Sequence, residues 1–175
     1  MKTLIVVDMQ NDFIYGPLGT PEAQAIVPKV KEKIEEYRKH GNQIIFTRDT
    51  HFEKHYEFSL EGQKLPIKHC IAASNGWQIV DGLTSYEDKR VDKYTFGYDQ
   101  WSLKLFDEFP NEIELVGVCT DICVVSNALI LKAVLPVMAN IEITVDASCC
   151  AGTTPENHKA ALQVMKCCQV NVINE

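Results

Sequence analysis

Six short strand-like runs, most of them β-branched and apolar, recur along the chain, and helix-length segments separate several of them. They are Thr3 to Val7, Gln43 to Thr47, Arg90 to Lys93, Ile113 to Val118, Ile141 to Val145 and Val170 to Ile173. Strands alternating with helices cannot pair as tight hairpins. They close by crossovers that lay helices on the faces of a parallel sheet. The expected fold is therefore α/β: a single-domain doubly wound (Rossmann-like), mostly parallel six-stranded sheet with helices on both faces, spanning residues 1–175.

The segments between the runs support this. Pro21 to His40 carries Ile26, Val27, Val30, Ile34 and Tyr37 on one helical face, Lys and Glu on the other, and Gly41 closes it. Pro155 to Cys167 reads as a helix with Pro near its start. Short helices are expected at Trp77 to Val80 and at Gln100 to Phe106. After the fourth strand, Ile122, Val125, Leu129 and Ala133 recur at helical spacing. Thr120 or Asp121 would cap that helix, and Pro136 would end or kink it. Met9 to Thr20 reads as a loop, and Arg48 to Ala73 as a long polar loop rich in His, Asp and Glu. Loops of such length in compact domains usually carry function.

Charge and cysteine usage remove several classes. A formal net charge of -7 speaks against a nucleic-acid or anionic-membrane binder. Met1 to Asp8 is a strand ending in a carboxylate rather than a signal peptide, and no apolar stretch is long enough to cross a bilayer. The seven cysteines are odd in number and include two adjacent pairs, Cys149-Cys150 and Cys167-Cys168. That pattern suits free thiols in the cytoplasm, with the pairs as packing residues, better than a disulfide scaffold.

Three reactive groups fall at or just past the carboxyl ends of different strands: Asp8, Lys93 and Cys123. In an open α/β sheet those ends converge on one ligand crevice. Cys123 lies in the expected first turn of a helix, where the dipole lowers a thiol pKa and free N–H groups face a developing oxyanion. Lys93 would favour the thiolate. Asp8 could take the thiol proton and return it to a departing amine, or activate water. Taken singly, each residue reads more readily as something plainer: Cys123 as a buried small hydrophobe, Asp8 as a strand-end acid bonding loop amides, and Lys93 as a solvated lysine.

In combination, the runs Asp8-Met-Gln-Asn-Asp-Phe13, Lys93-Tyr-Thr-Phe-Gly97 and Gly117-Val-Cys-Thr-Asp-Ile-Cys-Val124 resemble the isochorismatase-like cysteine hydrolases, with the nicotinamidase branch nearest. The resemblance covers nearly the whole chain. It implies a catalytic triad of Asp8, Lys93 and Cys123, and a cis peptide at Val118-Cys119 that lets the Cys119 and Cys123 amides form an oxyanion hole. Within the long loop, Asp49, His51 and His69 suit a divalent ion. The resemblance implies a metal site that grips a pyridine nitrogen, with Glu61 as the remaining ligand and His55 as its alternative. Zinc is the first expectation, with manganese or iron as alternatives.

The chain departs from the nicotinamidase pattern ahead of the last metal ligand. Leu65 stands where those enzymes usually carry an aromatic residue, and Pro66-Ile-Lys-His69 is spaced one residue longer. Phe13, with Phe96 or Tyr98, would then sandwich a flat ring. The expected activity is hydrolysis of a small-molecule amide through a thioester, nicotinamide first. The alternatives are a metal-independent amidase acting on a carbamoyl or ureido compound, and a catalytically silent binding subunit. The apolar helix faces leave room for a homo-oligomer.

Overall fold

A computed structural model describes residues 1–105, 110–135 and 140–175. Its centre is one six-stranded sheet in the order β3-β2-β1-β4-β5-β6. The strands are β1 (Lys2–Val7), β2 (Gln43–Asp49), β3 (Lys89–Lys93), β4 (Glu112–Val118), β5 (Glu142–Ala151) and β6 (Asn171–Ile173). Every neighbouring pair runs parallel. The chain winds outward from β1 to β3, then returns to lay β4 on the other side of β1. The carboxyl ends of β1 and β4 therefore diverge at the point where the winding reverses, and a crevice opens there.

Because successive side chains of a strand point to opposite faces, an unbroken apolar strand is one buried on both sides. In β1, Leu4 and Val6 belong to one apolar layer, and Ile5 and Val7 to the other. The first layer is closed by α2 (Pro21–Lys39), through Ala23, Ile26, Val30, Ile34 and Tyr37. The second lies under α4 (Trp101–Lys104), α5 (Val125–Val134) and α6 (Pro155–Cys167), through Trp101, Ala128, Leu131, Leu162 and Met165. Cys149 and Cys150 sit on opposite faces of β5 and are buried in different layers, as packing residues; Cys167 and Cys168 are exposed and do not pack.

Two helices open with the same device. Thr20 accepts the Ala23 amide with Pro21 following, and Thr154 accepts the Asn157 amide with Pro155 following. Gly41 adopts φ 65° directly after α2, a left-handed closure that Gly supplies without a Cβ clash. At Gly117, with φ 117°, a Cβ would lie 2.1 Å from the Val7 carbonyl oxygen, so only glycine lets β4 run this close to β1 at the crevice.

Some local expectations fail. Trp77 to Val80 is not helical: Ile79 forms a bridge with Gln10, the Trp77 indole donates to Thr50 Oγ1, and Arg48 lies 3.6 Å over its ring. The Met9–Thr20 loop contains one turn of helix, α1 (Asn11–Ile14), and the long loop contains a 3-10 turn (Tyr56–Phe58) and α3 (Leu60–Lys64). β5 runs six residues past Val145, through an irregularity in its pairing with β4 between Leu115 and Gly117. Phe106 and Pro136 lie outside the described residues. Leu135, the last described residue of the α5 stretch, is extended with ψ 139°, the conformation imposed on a residue before proline.

Candidate active site

The crevice holds a cavity of about 280 Å³. Cys123 and Cys119 reach it from the β4 side, Phe13, Leu18, Thr20 and Ala23 from the first loop and α2, and Phe96 from the loop after β3. Asp49, Glu61, Leu65 and His69 close the far end, and Gly152 with Thr153 continue the wall.

Asp8, Lys93 and Cys123 meet behind this cavity. Lys93 Nζ lies 2.7 Å from Asp8 Oδ2, 3.2 Å from Asp49 Oδ1 and 3.5 Å from Cys123 Sγ. It also donates to the Thr95 carbonyl at 3.3 Å. Asp8 is fully buried with φ 48°, and its Oδ1 takes the Thr47 hydroxyl at 2.6 Å. The second carboxylate oxygen is thus left for the ammonium and for the thiol. Each strand end contributes one group because parallel strands finish at one edge of the sheet. Alternation then turns the next side chain into the crevice.

Burial dominates the acid–base chemistry. It pushes the Asp8 carboxyl up, and Asp49 adds to this, while Lys93 only partly opposes it. Burial also pushes the Cys123 thiol well up; Lys93 pulls it down, but the Asp8 and Asp49 charges push with burial. For Lys93 burial acts against the charged form, and the charges of Asp8, Cys123 and Asp49 outweigh it, holding the ammonium well above its usual value. These directions favour a Cys123 thiol beside a charged Lys93 and an ionised Asp49. This corrects the expectation of a depressed thiol pKa at a helix start. Desolvation of a buried sulfur and the nearby Asp8 and Asp49 charges act against the thiolate, and the one cation that favours it is shared with both carboxyl groups.

The helix start itself differs from expectation. A π-helical turn, Thr120–Val124, precedes α5 and follows Cys119, with no side-chain cap. Neither Thr120 nor Asp121 caps it. Thr120 Oγ1 pairs with His158 Nδ1 at 2.8 Å. Asp121 accepts the Thr153 amide at 2.8 Å and its hydroxyl at 2.5 Å. These two side chains brace the Gly152–Thr153 wall, a tertiary role that no local pattern announces. The Val118-Cys119 peptide is cis, as the resemblance implied, and places Cys119 at the mouth of this turn.

A second cluster faces the same cavity. Asp49, His51, Glu61 and His69 each offer one ligand atom, all within 4.8 Å of one another. His51 Nε2 lies 2.8 Å from Asp49 Oδ2 and 3.7 Å from Glu61 Oε1; His69 Nε2 lies 3.7 Å and 3.5 Å from the same two oxygens. Ligands each about 2.0–2.2 Å from one zinc ion stand about 3–3.5 Å apart, so these spacings fit a shared cation. The donor set fits as well. Two imidazole nitrogens, His51 Nε2 and His69 Nε2, converge on one oxygen each of Asp49 and Glu61, the mixed nitrogen and oxygen donor chemistry that a borderline divalent ion takes. His69 Nδ1 is held by the Ile67 carbonyl at 2.8 Å and by the Tyr56 hydroxyl at 3.2 Å, which leaves Nε2 as the free donor. Of the two alternatives for the remaining ligand, Glu61 lies in the cluster, whereas His55 is exposed against Phe52.

Of the expected pocket residues, Phe13, Leu65 and Phe96 line the cavity. Tyr98 does not; its ring packs on Trp101 at 5.0 Å and its amide is tied to Asn127. Thr20, Leu18, Ile122 and Thr153 were not foreseen as lining residues. Behind the cavity wall, and also without a local signal, Tyr56 is buried and bridges the Leu65 and Ile67 carbonyls beside His69. The departure at 65–69 is thus accommodated by one tyrosine that gathers the longer segment.

Fold and site together define a doubly wound α/β protein with a buried thiol at the winding reversal and a carboxylate–imidazole cluster across the cavity. The chain belongs to the isochorismatase family, whose isochorismatase domain matches residues 2–175. Its relatives include the nicotinamidase of Saccharomyces cerevisiae, 28% identical over 74% of this chain and 80% of that protein. A probable inactive nicotinamidase of Arabidopsis thaliana is 30% identical over 93% of this chain and 87% of its own length. Among solved structures, a pyrazinamidase of Pyrococcus horikoshii in complex with zinc superposes with a TM-score of 0.85, at 28% identity and 99% coverage of both chains.

Proposed function

We propose that this chain hydrolyses nicotinamide to nicotinate and ammonia through a thioester on Cys123, with the whole of residues 1–175 acting as one hydrolase domain. One observation carries the reading: a single small cavity has the Asp8–Lys93–Cys123 set at one side and the Asp49–His51–Glu61–His69 set at another. Amide chemistry and recognition of a ring heteroatom can then act on one flat molecule, between Phe13 and Phe96. The yeast nicotinamidase and the zinc-bound pyrazinamidase support the substrate class.

The chemistry follows from the resting protonation. Asp8 accepts the Cys123 proton as the sulfur attacks the amide carbon, and Lys93 offsets the charge that develops. Amides at Cys119 and Cys123, at the opening of the π-helical turn, face the oxyanion. Collapse of the adduct breaks the C–N bond, with Asp8 returning its proton to the departing nitrogen as ammonia. Water then attacks the thioester; Asp8 takes its proton, and the sulfur leaves and recovers one. The acid and the thiol are the products. Asp49, His51, Glu61 and His69 would hold a divalent ion, zinc first, which would supply an electrophilic anchor for the ring nitrogen. All seven cysteines are free, which suits the cytoplasm.

Ammonia release from nicotinamide, pyrazinamide and benzamide tests this. Nicotinamide and pyrazinamide should be turned over, benzamide poorly because it has no ring nitrogen, and Cys123→Ala should abolish turnover. Equal rates with benzamide would sink the heteroatom reading. No ammonia from any amide would favour a silent subunit, a reading supported by the probable inactive nicotinamidase of Arabidopsis thaliana among its relatives.

A further inference from the structure

The first loop does more than carry Asp8. Gln10 is fully buried, and its side-chain amide has three partners. Nε2 donates to the carbonyls of Asp49 and Trp77, each at 2.9 Å, and Oε1 accepts the Asp49 amide at 2.7 Å. One side chain thus grips both backbone polar groups of Asp49. Two residues on, Asp12 Oδ2 accepts the Cys70 amide at 2.7 Å, directly after His69 in the chain. Gly76 packs its backbone on that carboxylate; a Cβ there would lie 2.1 Å from Oδ2. Phe13 then sets its ring 5.5 Å from that of His69.

These bonds answer a structural need. Asp49 is the last residue of β2, and His69 lies in an irregular stretch outside the named strands and helices. Asp49 is paired only on its β3 side, with Lys93, and lies past the last β1–β2 pair, Val6 with Phe46, so Gln10 takes up its free edge; His69 has no ladder to aim it. We propose that Gln10 and Asp12 are positioning residues of the candidate metal centre: Gln10 fixes Asp49, and Asp12 fixes His69, without either being one of the clustered ligands. The proposal rests on the metal reading above. Residues that orient metal ligands from behind commonly change affinity by about 10–100-fold when removed.

Zinc dissociation constants, measured by competition with a chromophoric chelator, test it on the native chain, Gln10→Ala, Asp12→Ala and Asp12→Asn. Melting of the metal-free proteins is recorded alongside. Each alanine change should weaken zinc by about 10–100-fold. Asp12→Asn, whose side-chain oxygen still accepts the Cys70 amide, should stay near the native value. Variants that melt lower yet bind zinc as the native chain does would overturn the proposal, because a purely structural role predicts that result. If an alanine variant fails to fold, Gln10→Glu decides. It keeps the acceptor for the Asp49 amide but turns an oxygen toward two carbonyls, so weakened zinc supports the proposal and native binding overturns it. A native chain that binds no zinc removes the metal reading itself. A native chain that binds zinc, with variants unchanged, removes only the positioning role.

Discussion

Lys93 is a single cation placed among three groups that compete for it. Its position, 2.7 Å from Asp8 and 3.5 Å from the Cys123 sulfur, lets it offset charge on either as the proton moves between them. It also touches Asp49, so it stands between the thiol and the carboxylate–imidazole cluster. Lys93→Ala should lower kcat for nicotinamide by about a hundredfold or more, the scale of losing a group that assists proton transfer. Circular dichroism must accompany the kinetics, because the change leaves Asp8 and Asp49 buried without their countercharge, and the fold should also lose stability. A folded variant with native kcat would remove Lys93 from the chemistry. Asp8 belongs to the same account: a carboxyl held above its ordinary range can accept a proton from a thiol and still release it.

Elements set the site by where they begin. The openings of α2 and α6 both lie near the cavity, each built on a Thr cap and a Pro in the first turn. Thr20 lines the cavity itself, whereas Thr154 is exposed and does not. Thr154→Ala should therefore cost about 1 kcal/mol of stability through the lost bond to the Asn157 amide. In a domain of this size that lowers Tm by about 2–4 °C. Thr154→Ser, which keeps the acceptor, should recover most of it. Thermal melting decides this, and no loss in the alanine variant would show that the Pro155 start alone holds α6.

Across the molecule, the reversal of winding between β1 and β4 explains why distant segments share one cavity. Asp8, Asp49 and Lys93 sit at the ends of three adjacent parallel strands, and Cys123 follows a fourth. A bound ion would join the sheet edge at Asp49 to the long loop at Glu61 and His69, and so should stabilise the whole fold. Zinc at a hundred times its dissociation constant adds about 2.7 kcal/mol to a protein that binds it only when folded. Tm should rise with added zinc and fall back with chelator, and His51→Ala should abolish the zinc-dependent shift. A melting curve indifferent to zinc would count against a metal centre of this kind. Among the described residues, no helix is long and apolar enough to cross a membrane.

What the sequence determined by itself is periodic or terminal. The strand runs, the amphipathic pattern of α2, the Thr-Pro helix starts and the reactive residues at strand ends are local features. Hydrophobic burial and parallel crossover geometry turn them into one fold. What only the tertiary structure decided depends on the direction of side chains far apart in the chain. Glu61 rather than His55 faces His51, because α3 turns it inward while His55 stays at the surface. Tyr98 leaves the cavity because Trp101 and Asn127 claim it, and Trp77 avoids a helix because Arg48 and Thr50 hold it. Cys123 is held toward the thiol because burial and the neighbouring Asp8 and Asp49 charges outweigh one lysine. Those balances are set by distances of a few ångströms between residues dozens of positions apart, and hydrophobic periodicity carries no record of them.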